Sequence, residues 1–201
     1  MTSTSRRTPA NAILFLVLWV GANFLGGTIV GVLENNGLQF AATLVLAGAI
    51  VGSLQWGVLR YTGYSARWWP VASALGWIGG TLLRTFGQDL YRPVATALWQ
   101  QFGLWDALWI NVVAAPIAVL CMAIAQSLVL GRRGRWMVWL LASLVGGIGL
   151  GVVSSGLCAA FCPSLSRQVV GALYGAGWAT YGLVTGIAWR FGMRHDKSGF
   201  G

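Results

Sequence analysis

The sequence predicts an all-α fold, a bundle of six transmembrane helices built from three parallel two-helix hairpins. Three observations predict it. Of 201 residues, 57% are hydrophobic and only 8% charged, whereas a soluble domain carries about 25% charged residues. A surface this short of polar groups must face lipid over much of its area. Six long runs carry no Asp, Glu, Lys, Arg or His, and one short motif recurs in every second run. Glycine, at 29 of 201 residues, is about double its usual ~7%, which suits membrane helices whose backbones approach closely.

The first run, Ala12–Leu33, follows Ser5-Arg6-Arg7, an opening shared with secretory and twin-arginine signals. It is long for a signal core and no convincing small-x-small cleavage site follows, so it counts as the first span. Leu38–Leu59 is the second. Trp68–Leu83 is the shortest, and reaches toward Phe86 if Arg84 snorkels outward. Next, Leu90, Val94, Leu98 and Phe102 recur every four residues beside Asp89, Arg92 and Gln100. This predicts an extracytoplasmic amphipathic helix started by Pro93, lying on the membrane surface or docking onto a partner. Ala107–Leu130 is the fourth span, with Pro116 expected to kink it; Trp136–Leu157 and Val169–Trp189 complete the six. Most match the ~20 residues that cross a bilayer, and residues 1–201 form one integral membrane domain.

Charge placement sets the direction. With the N-terminus inside, the inner segments hold Arg6, Arg7, Arg60, Arg67, Arg132, Arg133, Arg135, Arg190, Arg194 and Lys197; the outer ones hold Arg84, Arg92 and Arg167. Ten against three is the bias of the positive-inside rule, so both termini are expected in the cytoplasm. The net charge of +9 is then a topology signal, and no nucleic-acid partner is expected. Trp56, Trp68, Trp69, Trp136, Trp139 and Trp189 lie beside the inner loops, as interfacial rings do, with Trp99, Trp105 and Trp109 as the outer counterpart.

The repeat is a hairpin. Trp19-x-x-Ala22-Asn23-x-Leu25-Gly26 matches Trp69-x-x-Ala72-Ser73-x-Leu75-Gly76 and Trp139-x-x-Ala142-Ser143-x-Val145-Gly146. The even helices align more loosely, through Gly52-x-x-Gln55, Ala123-x-x-Gln126 and Gly182-x-x-Thr185. A two-crossing unit returns the chain to its starting side, so the copies run parallel about an axis along the membrane normal. Asn23, Ser73 and Ser143 should then share one depth, and Gln55, Gln126 and Thr185 another. Trp69 and Trp139 open their helices, whereas Trp19 lies seven residues into the first span, so the first helix should protrude or tilt.

These six polar residues are the candidate site. They either line a path for solute or ion, or hydrogen-bond between helices; packing is the favoured reading, since most polar residues in spans face protein. Cys121 is a packing residue. Cys158 and Cys162, four apart, match neither a Cys-x-x-Cys redox motif nor a zinc site; they admit a local disulfide, with two free thiols favoured. The only histidine, His195, lies in the C-terminal tail, which leaves no usual haem ligand in the spans. No cofactor, metal or pigment is expected. Arg60, Arg67, Arg132, Arg133 and Arg135 are candidate inner-leaflet contacts for anionic lipid, worth ~1 kcal/mol per residue.

The stretch Gly52-Ser-Leu-Gln-Trp-Gly-Val-Leu-Arg60, followed by Trp68-Trp69 and Ala72-Ser-Ala-Leu-Gly-Trp77, resembles uncharacterised Gly/Trp-rich polytopic membrane proteins of bacteria, cyanobacteria among them, with repeated Gln-Trp-x-x-Leu-Arg motifs. Gln126-Ser-Leu-Val-Leu-Gly131 departs from that motif, losing the Trp and Arg. The resemblance implies a bacterial inner or thylakoid membrane and brings no activity. A three-hairpin layout also suggests mitochondrial carriers, whose Pro-x-[Asp/Glu]-x-x-[Lys/Arg] signature is absent. No general acid or base lies in the spans, so an enzyme is not expected. The favoured expectation is a structural or accessory subunit of a larger membrane complex, with lipids and other integral subunits as partners. The alternative is a transporter or channel for a neutral or hydrophobic solute.

Overall fold

The computed structural model describes residues 9–130 and 136–192. Among the described residues it is all-helical, with seven long helices. The first, α1, is Pro9–Leu33. The second, α2 (39–61), starts at Gln39–Ala41, passes a π-type segment at Ala42–Leu46 and continues as Ala47–Tyr61. Then follow α3 (Trp69–Phe86), α4 (Gln88–Phe102), α5 (Asp106–Leu130), α6 (Trp136–Phe161) and α7 (Arg167–Gly192). Among the described residues, four helical runs are long and apolar enough to cross a membrane: Ala12–Leu38, Ala42–Tyr61, Asp106–Leu130 and Trp136–Ser164. Helices α3 and α7 are not among these runs.

Six helices close a ring in which each packs on two neighbours, in the order α1, α2, α3, α5, α6, α7 and back to α1. Glycine makes the crossings tight. A Cβ on Gly31 of α1 would sit 2.9 Å from the carbonyl oxygen of Gly171 on α7, and one on Gly80 of α3 would sit 2.7 Å from the backbone of Ala118 on α5. Within each hairpin the second small residue of the odd-helix motif meets its partner at an equivalent place. Gly26 faces Val51, Gly76 faces Met122 and Gly146 faces Tyr181, each four residues before Gln55, Gln126 or Thr185.

Local chemistry explains the breaks. Helix α1 stops because Asn36 leaves the helical region and Gly37 takes φ +93°, a stop that glycine makes without steric cost. In the π-type segment the Ala47 N–H bonds to Ala42 O, so the Thr43 carbonyl loses its usual helical donor. It accepts the Trp77 indole N–H instead, at 2.6 Å. The sequence predicted one uninterrupted helix here; this tertiary bond favours the extra residue in the turn.

Helix α4 also corrects its prediction. Pro93 lies inside it rather than at its start, because Gly87 both ends α3, donating to Leu83 O, and caps α4. Helix α4 packs against α5, with Tyr91 and Ala95 buried, while Leu90, Val94 and Phe102 are exposed. Pro116 is buried in α5, where Gly147 of α6 makes room for its backbone.

Candidate functional site

The six polar residues singled out from the sequence are all completely buried. Each is hydrogen-bonded. The indole N–H groups of Trp19, Trp69 and Trp139 donate to Thr185 Oγ1 (3.1 Å), Gln55 Oε1 (3.0 Å) and Gln126 Oε1 (3.2 Å). In each pair an odd-helix tryptophan meets the even helix of the preceding hairpin, counted cyclically. Gln55 Nε2 donates to Asn23 Oδ1 at 2.9 Å, and Gln126 Nε2 to Ser73 Oγ at 2.8 Å and Gln55 Oε1 at 3.4 Å. In the third hairpin Ser143 Oγ and Tyr181 OH lie 3.3 Å apart. Asn23 and Ser73 return their remaining donors to Trp19 O and Trp69 O one turn earlier.

The three tryptophans form a triangle of edge contacts, with ring centroids 5.6 to 6.4 Å apart. Trp189 sits within 5.8 Å of all three, stacked on Trp19 and edge-on to the others. Such pairs contribute about 0.5–1.5 kcal/mol each beyond their burial. Trp69, Trp139 and Trp189 are therefore buried core, not interfacial rings as their positions near basic loops suggested. The Trp69 and Trp139 indole donors bond to the Gln55 and Gln126 amides, a partnership that outweighs the headgroup, whereas Trp189 is held by its ring contacts and its Nε1 has no partner among the described residues. Trp68 and Trp136 do remain exposed. Since Trp19 meets Trp69 and Trp139, the ten residues of α1 before it extend past the starts of α3 and α6, as the motif offset implied.

Beyond this plug, toward the end of the ring that carries the 34–38 turn, lies a chamber of about 650 Å³. All six ring helices contribute to its wall, so it sits on the ring axis. Its size falls in the ~300–1,000 Å³ range of small-molecule sites. Trp77 and Trp178, 5.3 Å apart, lie in the wall, and Trp178 continues to Tyr181 at 5.7 Å, leading down to the amide network. Glu34, Arg84 and Tyr174 also line it. The Glu34 carboxylate accepts from Thr43 Oγ1 at 2.6 Å; the charge of Arg84 reaches it without a direct bond among the described residues. The shielded hydroxyls of Ser154 and Ser155 line the wall with no partner among the described residues.

Sequence reasoning missed this chamber. Glu34 and Arg84 counted as charges of the outer segments, Arg84 with outward snorkelling only as a condition for a longer third span; in the structure both line the chamber. Their position at the ends of two odd helices was the available signal. Cys158 and Cys162 correct the free-thiol expectation: they form a disulfide at the chamber wall, with Cα atoms 4.6 Å apart. Residues i and i+4 on a continuous helix hold their Cβ atoms ~5–6 Å apart, too far to bridge. Here α6 ends at Phe161 and a 3₁₀ turn, Cys162–Ser164, carries Cys162 back. Cys121 is a free thiol.

At the opposite end, the guanidiniums of Arg60 and Arg67 lie over the rings of Trp56 and Trp68, at 5.4 and 5.5 Å. Arg132, Arg133 and Arg135 lie outside the described residues. Comparison with family models, with curated proteins and with solved structures found no match.

Proposed function

We propose that this chain is a non-catalytic membrane protein of six spans that binds a small solute in an outward-facing chamber, in the manner of a transporter's outward-open state. The chamber carries the proposal: it lies on the ring axis, has the size of a small-molecule site and has wall hydroxyls with no partner among the described residues. The buried, hydrogen-bonded amide network and the tryptophan plug support a seal toward the cytoplasm rather than a standing channel. Three parallel hairpins, with α3 and α7 as the two less apolar spans, are supported by the cyclic tryptophan bonds and by the matched glycine contacts. The excess of basic residues in the segments at the plug end and in both tails supports cytoplasmic termini in a bacterial inner or thylakoid membrane.

An accessory-subunit reading draws support from α4, whose Leu90, Val94 and Phe102 stripe is exposed. One experiment separates the two. Detergent-purified protein is screened by thermal shift against charged, zwitterionic and neutral small solutes, beside Asn111→Trp, which fills the chamber from a wall position. At least one solute class should raise the parent's Tm by several degrees and leave the filled variant unmoved. If no class separates the two proteins, the solute reading fails, and stably co-purifying membrane subunits would then establish the accessory one.

A further inference from the structure

We infer that the chamber selects a small zwitterion with an apolar body, of amino-acid type; the inference rests on the solute reading above. The lining among the described residues carries one acid, Glu34, and one base, Arg84, brought from the ends of two different helices. Their charges sum to zero, and Glu34 is bonded to Thr43 rather than to Arg84. Each therefore keeps capacity for a partner of opposite sign.

Consider what each ligand type would meet. A simple cation would pair with Glu34 but also face Arg84, and a simple anion would meet the reverse. An uncharged ligand would displace water from both charges and compensate neither. Only a ligand carrying both signs satisfies both groups, so the same pair attracts the zwitterion and penalises its singly charged relatives. The depth of the site adds the apolar requirement. Trp77 lies seven residues before Arg84 on α3, about 10 Å deeper at 1.5 Å per residue, and it pairs with Trp178 there. The charged head thus belongs near the mouth and the apolar end against the aromatic floor. A zwitterionic phospholipid headgroup shares the chemistry of the head, and the experiment distinguishes that source.

The test uses the full-length protein in detergent, with L-phenylalanine and L-leucine as zwitterions. Phenethylamine and isoamylamine are their cationic counterparts, and 3-phenylpropionate and 4-methylvalerate their anionic ones. At least one zwitterion should bind at least tenfold more tightly than both of its counterparts. Glu34→Gln and Arg84→Gln should each remove that advantage, Glu34→Gln by weakening recognition of the ammonium and Arg84→Gln that of the carboxylate. Alternatively, phosphatidylethanolamine that stays bound in native mass spectrometry of the parent, and is lost from both variants, would assign the same chemistry to a lipid headgroup. Counterparts that bind as tightly as the zwitterions, or zwitterion affinity unchanged in either variant, would overturn the inference. If a solute of another charge type proves chamber-dependent in the Asn111→Trp comparison, the chamber remains a solute site and only the zwitterion assignment falls. Failure of every solute in that comparison removes both.

Discussion

Replacing Gln55 by leucine tests whether the buried amides hold the bundle together or merely line a space. The side chain is fully buried, accepts from Trp69 and Gln126 through Oε1, and donates to Asn23 through Nε2. Leucine is of similar size but offers no polar atom. It would leave the Trp69 indole N–H and Asn23 Oδ1 without partners, while Gln126 keeps Ser73. Stranding a buried polar group costs about 1–3 kcal/mol, which suggests about 2–6 kcal/mol for two. Hydrogen bonds between membrane helices are typically worth less, with an average near ~0.6 kcal/mol, so the low end of that range, about 2–3 kcal/mol, is expected. At about 2–4 °C per kcal/mol for a chain of this length, the melting temperature should fall by roughly 4–12 °C. The assay is a thermal melt in mild detergent, followed by intrinsic tryptophan fluorescence, with Gly52→Leu alongside. A Cβ at Gly52 would collide with the Ser73 side chain, and such overpacking costs about 1–3 kcal/mol before the rest of the leucine is placed. Gly52→Leu should therefore destabilise the protein too. A Gln55→Leu protein that melts within a degree or two of the parent, while Gly52→Leu does not, would refute the packing role and open the network to a path.

Two further outcomes are expected. In denatured, non-reduced protein extracted without loss of oxidation state, alkylation should label Cys121 alone; three labelled thiols would contradict the Cys158–Cys162 bond. Reporter fusions after Gly63, Gly134 and Gly201 should behave as cytoplasmic, and fusions after Asn36 and Ser164 as external. A consistent reversal would invert the chamber, placing its mouth on the cytoplasmic side.

The helical class, the position of each long helix and the six buried polar residues were legible in the amino-acid order. They depend on period, length and composition, which act locally. The missing charges mark segments that lipid can surround, and a polar residue on a glycine-lined face is one that must find a partner inside. The Trp-x-x-Ala motif even carried the offset of α1, because equal spacing along a helix is equal depth. What the order of residues could not express was closure. Trp69 and Trp139 stand beside basic loops in sequence and look interfacial, yet their indole donors are satisfied by Gln55 and Gln126 from neighbouring helices. The π-type turn at Ala42–Leu46 exists because Trp77, 34 residues away, takes up the Thr43 carbonyl. Glu34 and Arg84 became chamber residues only because six helices enclose a space where both can remain polar. Such decisions fall to tertiary structure because a buried donor, acceptor or charge is placed by whichever partner can reach it in space, and separation along the chain does not determine that reach.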